Sequence, residues 1–224
     1  MTWVLTADGK IAGFTLRPAE APSRYADYQP KARYRLPFEG EWLVFWGGRM
    51  VAQNYHASVP NQRFAYDLVV VGADGATHRG DGKQLTDSLC WGLAILAPAD
   101  GKVVTARDGL DDQAIGTMDP GHPEGNHVVI EHAPGEYSLL AHLQKGSVQV
   151  KPGDAVKAGQ VLARCGNSGN TSEPHLHVQL MTTPALTRES DSLPLPFSSY
   201  LADGQPVARG EPVKGQHVRP QSAK

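Results

Sequence analysis

The residues best suited to chemistry are two histidines one residue apart, His175 and His177, behind a turn-rich loop at residues 166–170. Side chains alternate across a strand, so both imidazoles point to the same face. Apolar residues within 176–180 alternate with them and indicate a core on the opposite face, although the pair could also be two polar residues on a solvent face. Paired neutral imidazoles suit zinc, and a third nitrogen or oxygen ligand would complete a hydrolytic site with one open position.

Two upstream runs offer further candidates for this site. A strand-like run at 137–143 contains His142, and a strongly apolar run at 64–71 contains Asp67. An isolated carboxylate in a buried strand would cost several kcal/mol, so we expect Asp67 to be paired, hydrogen-bonded or bound to a metal. The alternative is a carboxylate at a strand edge that is hydrogen-bonded to a neighbouring loop.

These motifs together resemble the lysostaphin-type (LytM-like) zinc metalloendopeptidase family. The resemblance rests on Ala-His-Leu at 141–143, the Gly-Asn-Ser-Gly-Asn loop at 166–170 and Pro-His-Leu-His at 174–177, and it spans roughly residues 50–182. It implies one zinc ion and hydrolysis of peptide bonds in peptidoglycan or a related glycine-rich peptide. Several motifs in a fixed order are far more specific than a single pair of histidines.

The resemblance also implies residue roles. Most members of the family place a histidine ligand four residues before the aspartate, and this chain has Arg63 there. The nearest upstream histidine is His56, which we predict to be the first ligand; if it only caps a loop, the metal site is incomplete. The resemblance also implies that Asp67 and His177 are zinc ligands. His142 and His175 are implied to be catalytic histidines that do not bind the metal.

Three protein ligands would leave the fourth zinc position to a water, whose pKa falls towards about 7 on such a metal. The chain has no His-Glu-x-x-His motif, so acid/base work and oxyanion stabilisation fall to the two catalytic histidines. Glu173 is predicted to be structural or solvated, with a direct role as the alternative. Asn54, Gln62 and Arg63 lie close enough in sequence to orient a ligand histidine. The histidines without a pairing pattern are predicted to be surface or core polar residues: His78, His122, His127, His132 and His217.

Composition points to a globular, mostly β chain. The 224 residues, 40% of them hydrophobic, can build one substantial domain with extensions. Abundant glycine and proline between short Val/Ile/Leu-rich runs predict an all-β, antiparallel fold, and the resemblance implies a duplicated-hybrid or barrel-sandwich-like domain with long loops. A net charge of −2 without a Lys/Arg cluster argues against nucleic-acid binding. No apolar run is long enough to cross a membrane, and the oligomeric state is not indicated.

Composition also suggests how the chain is divided. The N-terminal segment is predicted to form a hairpin that turns at Asp8-Gly9 and either ended an upstream domain or packs on the peptidase. The N-terminus lacks signal-peptide features, so the chain is either cytoplasmic or lacks a leader and an upstream part; the resemblance favours the second, and a periplasmic or secreted location. The predicted segments are a hairpin at 1–17, a linker at 18–36, the peptidase domain at 37–183, a docked C-terminal extension at 184–215 and a disordered tail at 216–224.

Three other classes of protein are alternatives to a peptidase. Biotinyl and lipoyl carriers share the Val/Gly hairpin pattern at 150–160, but neither Lys151 nor Lys157 lies between the small or Met residues that a carrier lysine needs. Glucose-permease-type phosphocarriers use paired histidines, but they would not need Asp67. A non-catalytic LytM-like module that binds peptidoglycan or activates another hydrolase typically loses metal ligands, and only Arg63 favours that interpretation.

The chain has two cysteines, Cys90 and Cys165, each predicted to lie at a strand end on the active-site side. In an oxidising compartment, a disulfide between them would close a loop of about 75 residues and stabilise the fold by roughly 4 kcal/mol. The alternative is two buried free thiols that behave as small apolar residues. The sequence leaves both states open.

Overall fold

A computed structural model of the protein describes residues 2–15 and 19–221, and strands dominate this part of the chain. The all-β, antiparallel prediction is confirmed. Among the described residues, no helix has the length and apolar character needed to cross a membrane. The 3₁₀ helices are Tyr55–Ser58, Pro60–Gln62 and Leu85–Asp87. The strands are β1 Thr2–Leu5, β2 Ile11–Thr15, β3 Trp42–Trp46, β4 Tyr66–Val69, β5 Ala94–Leu96, β6 Gly101–Arg107, β7 Asn126–Ala133, β8 Glu136–Leu143, β9 Ala155–Val156, β10 Val161–Arg164, β11 Leu176–Met181, β12 Ser192–Leu193, β13 Phe197–Ala202, β14 Gln205–Gly210 and β15 His217–Pro220.

One antiparallel sheet of 11 strands forms most of the described fold, in the order β14-β13-β15-β3-β4-β11-β8-β7-β6-β9, with β12 paired to β11. Strand β11 lies between β4 and β8, and the register places His177 opposite Asp67 on one side and Ala141 on the other. Backbone pairing therefore brings together residues 110 positions apart in the chain.

Strand β11 is buried along its whole length. Leu176, Val178 and Leu180 belong to the main hydrophobic cluster. Because side chains alternate along a strand, the same pattern turns His177 and Gln179 to the other face. Burial of the three apolar side chains, worth about 1.5–3 kcal/mol each, thus fixes the direction of the polar ones.

Two glycines allow the loop before β11 to pack closely against the entry of β7. Gly125 (φ +60°) and Gly169 (φ +88°) both have left-handed backbone conformations, and a Cβ at Gly125 would lie 2.1 Å from the carbonyl oxygen of Ser168. A side chain at either position would be strained and would push the two segments apart. The glycines thus fix the path of the loop that leads to His175.

The segment predicted to be a linker is packed against the sheet instead. Tyr34 and Leu36 are each 1% exposed and belong to the main cluster. The carboxylate of Glu136 in β8 accepts hydrogen bonds from the backbone N–H groups of Lys31 and Ala32. The prediction was wrong because proline content indicates an irregular backbone, whereas burial of the aromatic residues decides whether that backbone packs.

The predicted disordered tail is also wrong over His217–Pro220, which form β15. This strand pairs with β3, Val218 lies opposite Trp42, and Val218 is fully buried. Because β15 lies between β3 and β13, backbone pairing on both sides and the buried Val218 hold the segment in the sheet. Strands β12, β13 and β14 of the predicted extension join the same sheet.

Strands β1 and β2 form an antiparallel hairpin around Asp8 and Gly9, with Gly9 at φ +78°. The left-handed conformation at Gly9 is one that this turn requires and that glycine adopts without strain. Residues 1 and 16–18 of the predicted hairpin and linker, and residues 222–224 of the predicted tail, lie outside the described residues.

Candidate metal centre

Three buried side chains, His56, Asp67 and His177, place one ligand atom each within 4.8 Å of one another. Asp67 Oδ2 lies 3.0 Å from His56 Nε2, and Asp67 Oδ1 lies 2.9 Å from His177 Nδ1. None of the three residues is more than 5% exposed. Two imidazoles and a carboxylate are a donor set that zinc accepts, so the residues present fit such an ion.

Local structure sets the position of His56. It is the second residue of the 3₁₀ helix Tyr55–Ser58, whose N-cap is Asn54, and the Asn54 side-chain oxygen accepts a hydrogen bond from the His56 backbone N–H. The Asn54 side-chain amide donates to the carbonyls of Gly48 and Ala65 at 3.1 and 2.9 Å. Asn54 therefore supports the backbone of His56 rather than its ring.

The two other predicted supporting residues behave differently from each other. Gln62 Oε1 lies 2.7 Å from His56 Nδ1, which leaves the His56 Nε2 lone pair for the metal when Nδ1 donates. Arg63 instead donates to the Ala57 carbonyl at 3.0 Å, and its guanidinium lies over the Phe64 ring. Arg63 is the C-cap residue of the 3₁₀ helix Pro60–Gln62 and is not placed as a ligand.

The charges of the site are coupled. Burial alone would raise the pKa of Asp67, but the charges of His56 and His175 and the hydrogen bonds from His177 and His56 hold it well below its usual range. Burial opposes the charged form of His177, yet the hydrogen bond and charge of Asp67 leave its pKa raised. Asp67 is thus ionised at neutral pH and supplies the negative charge at the centre of the group.

His142 lies beside this group at the end of β8. Burial, together with the nearby His175 and His177, lowers the pKa of His142 well below its usual value, so its ring is neutral at pH 7. Its Nδ1 lies 2.9 Å from the Ser168 carbonyl oxygen, which can only accept. The proton of the neutral ring therefore sits on Nδ1, and Nε2 carries a free lone pair.

His175 has a similar arrangement. Its Nδ1 donates to the Glu173 carbonyl at 2.9 Å, and its Nε2 lies 3.7 Å from Asp67 Oδ1. The ring centroids of His142 and His175 are 4.8 Å apart. The Glu173 carboxylate accepts from the Thr77 hydroxyl at 3.0 Å, so its backbone, not its side chain, serves the site.

Two clefts adjoin the site. One, of about 70 Å³, is lined by Glu124, Leu139 and Leu186, among others. The other, of about 180 Å³, has an aromatic wall that includes Phe45 and Trp46. Tyr55 and His142 line both clefts, so an extended substrate could cross the site from one to the other.

Sequence reasoning missed Gln179, whose Oε1 lies 3.0 Å from His177 Nε2. The signal was available: residue 179 continues the alternation of 175 and 177 along one strand face. The histidines predicted to lie outside the site have other partners where the structure gives them one, such as Asp119 for His122, Ser138 for His132 and Glu41 for His217.

Three curated relatives are similar over parts of their length. Peptidoglycan DD-endopeptidase ShyB of Vibrio cholerae is 32% identical over 51% of this chain and 23% of its own. Glycyl-glycine endopeptidase ALE-1 of Staphylococcus capitis is 30% identical over 66% of this chain and 38% of its own. Murein hydrolase activator EnvC of Escherichia coli is 32% identical over 47% of this chain and 24% of its own. The chain thus spans well under half the length of each.

A family model also matches. Residues 87–189 fit the model described as peptidase family M23. This span contains His142, His175 and His177, whereas His56 and Asp67 lie before it. The chain therefore carries a lysostaphin-type (LytM-like) domain of peptidase family M23.

Proposed function

We propose that the protein is a zinc metalloendopeptidase that hydrolyses peptide bonds in peptidoglycan and works outside the cytoplasm. One observation carries the proposal: a buried His-Asp-His group lies beside two further histidines, His142 and His175, and adjoins two clefts. The names of ShyB and ALE-1, a peptidoglycan DD-endopeptidase and a glycyl-glycine endopeptidase, support the class of substrate and the location.

His56, Asp67 and His177 would hold the zinc ion, which would supply a Lewis acid for the scissile carbonyl and acidify a water. His142 has its Nδ1 proton fixed by the Ser168 carbonyl, so its Nε2 can accept a proton from the attacking water. His175 is held in the same way by the Glu173 carbonyl, and its Nε2 lies 3.7 Å from Asp67 Oδ1. Once protonated, either ring can hydrogen-bond the oxyanion and donate a proton to the leaving amine.

The clefts account for cleavage within a chain rather than at its end. Substrate residues on both sides of the scissile bond need space, and the two clefts that adjoin the site offer it. Backbone carbonyls, which cannot titrate, hold the Nδ1 proton of both catalytic histidines. The tautomer with a free Nε2 therefore persists wherever the ring is neutral.

The proposal is tested by measuring zinc in the purified protein and by mass spectrometry of muropeptides released from peptidoglycan. We expect close to one zinc per chain, new peptide ends, and neither zinc nor products with His177→Ala. Asp203→Asn, an exposed change away from the site, is the control and should behave as wild type. Protein without bound zinc would overturn the proposed metal site.

One relative suggests a different outcome. EnvC is named a murein hydrolase activator, and a LytM-like module can act by binding peptidoglycan or by activating another hydrolase. This chain retains a group that can hold a metal, which favours the enzyme. Zinc-loaded protein that releases no muropeptides, but increases release by a second hydrolase, would instead identify an activator.

A further inference from the structure

Both histidines proposed as ligands direct their second ring nitrogen to a neutral amide. Gln62 Oε1 lies 2.7 Å from His56 Nδ1, and Gln179 Oε1 lies 3.0 Å from His177 Nε2. Ligand histidines commonly use a carboxylate, a backbone carbonyl or a water at this position. In this chain both positions are occupied by neutral side-chain amides, so neither contact adds a negative charge to the proposed zinc site.

The orientation of Gln179 is fixed by its other end. Gln179 is fully buried in β11, and its Nε2 donates to the Asn61 carbonyl at 2.9 Å. A carbonyl oxygen cannot donate, so the amide nitrogen faces Asn61 and the amide oxygen faces His177. His177 Nε2 must then carry the proton, and Nδ1, which lies 2.9 Å from Asp67 Oδ1, is the atom left to bind a metal.

The two amides are also linked to each other. Asn61, which holds Gln179, precedes Gln62, which contacts His56. One short segment, the 3₁₀ helix Pro60–Gln62, thus connects to both histidines through hydrogen bonds. Movement of this helix would misalign both rings together.

We infer that Gln179 is a positioning residue that selects the Nδ1-binding tautomer of His177, and that Gln62 on His56 and Gln179 on His177 orient the two rings without adding charge. The inference rests on the proposed zinc site. Asp67 is then the only anionic ligand, and the metal keeps a net positive charge. A carboxylate in place of either amide would make the ligand more basic and the metal a weaker Lewis acid.

The test compares metal affinities of the full-length chain, measured by competition with a chromophoric zinc chelator. Gln179→Leu removes the acceptor and should weaken zinc binding about 10–100-fold. Gln179→Glu restores an acceptor of the same shape and should bind zinc at least as tightly as wild type. Leu180→Met, a volume-conserving change at a buried position on the opposite face of β11, is the matched control and should leave affinity unchanged.

A purely structural role for Gln179 would lower stability without a selective effect on the metal. The absorption bands of the Co²⁺-substituted protein report ligand geometry directly, and we expect them to shift in Gln179→Leu but not in Leu180→Met. A Gln179→Leu variant with wild-type zinc affinity and an unchanged Co²⁺ spectrum would overturn the inference and leave the zinc site standing. Wild-type protein that binds no zinc would overturn both.

Discussion

His142 has a left-handed backbone conformation (φ 61°) that few residues other than glycine adopt. Such a conformation costs about 1–3 kcal/mol and is kept where the surroundings enforce it. Here the His142 N–H donates to the Glu124 carbonyl, and the His142 carbonyl accepts from the Gly166 N–H, at 3.0 and 3.1 Å. The strain turns the ring towards His175 at the point where β8 leaves the regular sheet.

The roles proposed for these two histidines predict a separation of metal binding from catalysis. His142→Ala and His175→Ala should retain zinc but lose activity by about 10²–10⁴-fold, the usual contribution of general acid/base groups. Zinc content and muropeptide release measured on the same preparations provide the check. His142→Asn, whose side chain tolerates the left-handed conformation, controls for strain and should be as inactive as His142→Ala.

Loss of zinc from both alanine variants would mean that these histidines are ligands. Wild-type activity in either variant would show that the substituted histidine takes no part in the acid/base chemistry.

At the residue scale, chemistry could be inferred from the sequence where a residue type conflicts with its surroundings. Asp67 in an apolar run and a His-x-His pair in an alternating strand are such conflicts. The acceptors that set the tautomers, the carbonyls of Ser168 and Glu173, could not be inferred. A backbone carbonyl carries no side-chain signature, and its direction depends on the path of the glycine loop.

At the scale of elements, Glu136 ties the segment before the sheet to β8. The residue is fully buried, and its carboxylate accepts from the hydroxyls of Tyr28 and Tyr34 at 2.8 and 3.0 Å as well as from two backbone N–H groups. Burial would raise the pKa of Glu136, but these hydrogen bonds leave it below its ordinary value of 4.5. The strand that carries His142 near its end thus begins at an anchored carboxylate.

This anchor predicts a pH-dependent contribution to stability. A carboxyl group whose pKa is lower in the folded state stabilises the fold above its unfolded pKa, and that contribution is lost as the pH falls through the folded value. Glu136→Gln should lower the free energy of unfolding at pH 7 by about 1–3 kcal/mol, because buried donors lose a charged acceptor. Urea unfolding at pH 7 and at pH 4 should show a smaller difference between variant and wild type at the lower pH.

Glu189→Gln, at an exposed position, is the control and should follow wild type at both values. A constant difference between Glu136→Gln and wild type across this range would mean that the carboxylate charge adds nothing to the anchor.

Elements defined by local pattern could be predicted, and elements defined by a distant partner could not. The turn at Asp8-Gly9 and the alternation in β11 depend on neighbouring residues alone. Segment 18–36 and strand β15 depend on Glu136 and on β3, which are far away in the chain. A window of sequence does not contain those partners, so proline content and polarity gave the wrong assignment for both.

At the scale of the whole molecule, the proposed centre forms only when distant segments meet. His56 and Asp67 come from residues before the matched family segment, and the three catalytic-site histidines come from within it. Pairing of β4 with β11 joins the two parts and sets His177 opposite Asp67. The residues of the proposed centre could be predicted from the sequence. The strand register that brings them together follows from packing of the complete sheet.

The two cysteines lie near this junction. Both are free and 1% exposed, and Cys90 Sγ donates to the Pro174 carbonyl, one residue before His175, at 3.0 Å. Interaction with Cys165 lowers the pKa of Cys90, whereas burial raises the pKa of Cys165. Cys90 therefore links the segment before β5 to the loop that carries His175.

We expect both cysteines to remain free thiols, because the Cys90 S–H group serves as the donor to Pro174. Thiol titration without reductant should count two thiols in the denatured protein and almost none in the native protein, where both are buried. A control sample reduced before denaturation should give the same count. A count of zero would show instead that a disulfide closes a loop of about 75 residues; reduction should then lower the free energy of unfolding by about 4 kcal/mol, less any strain.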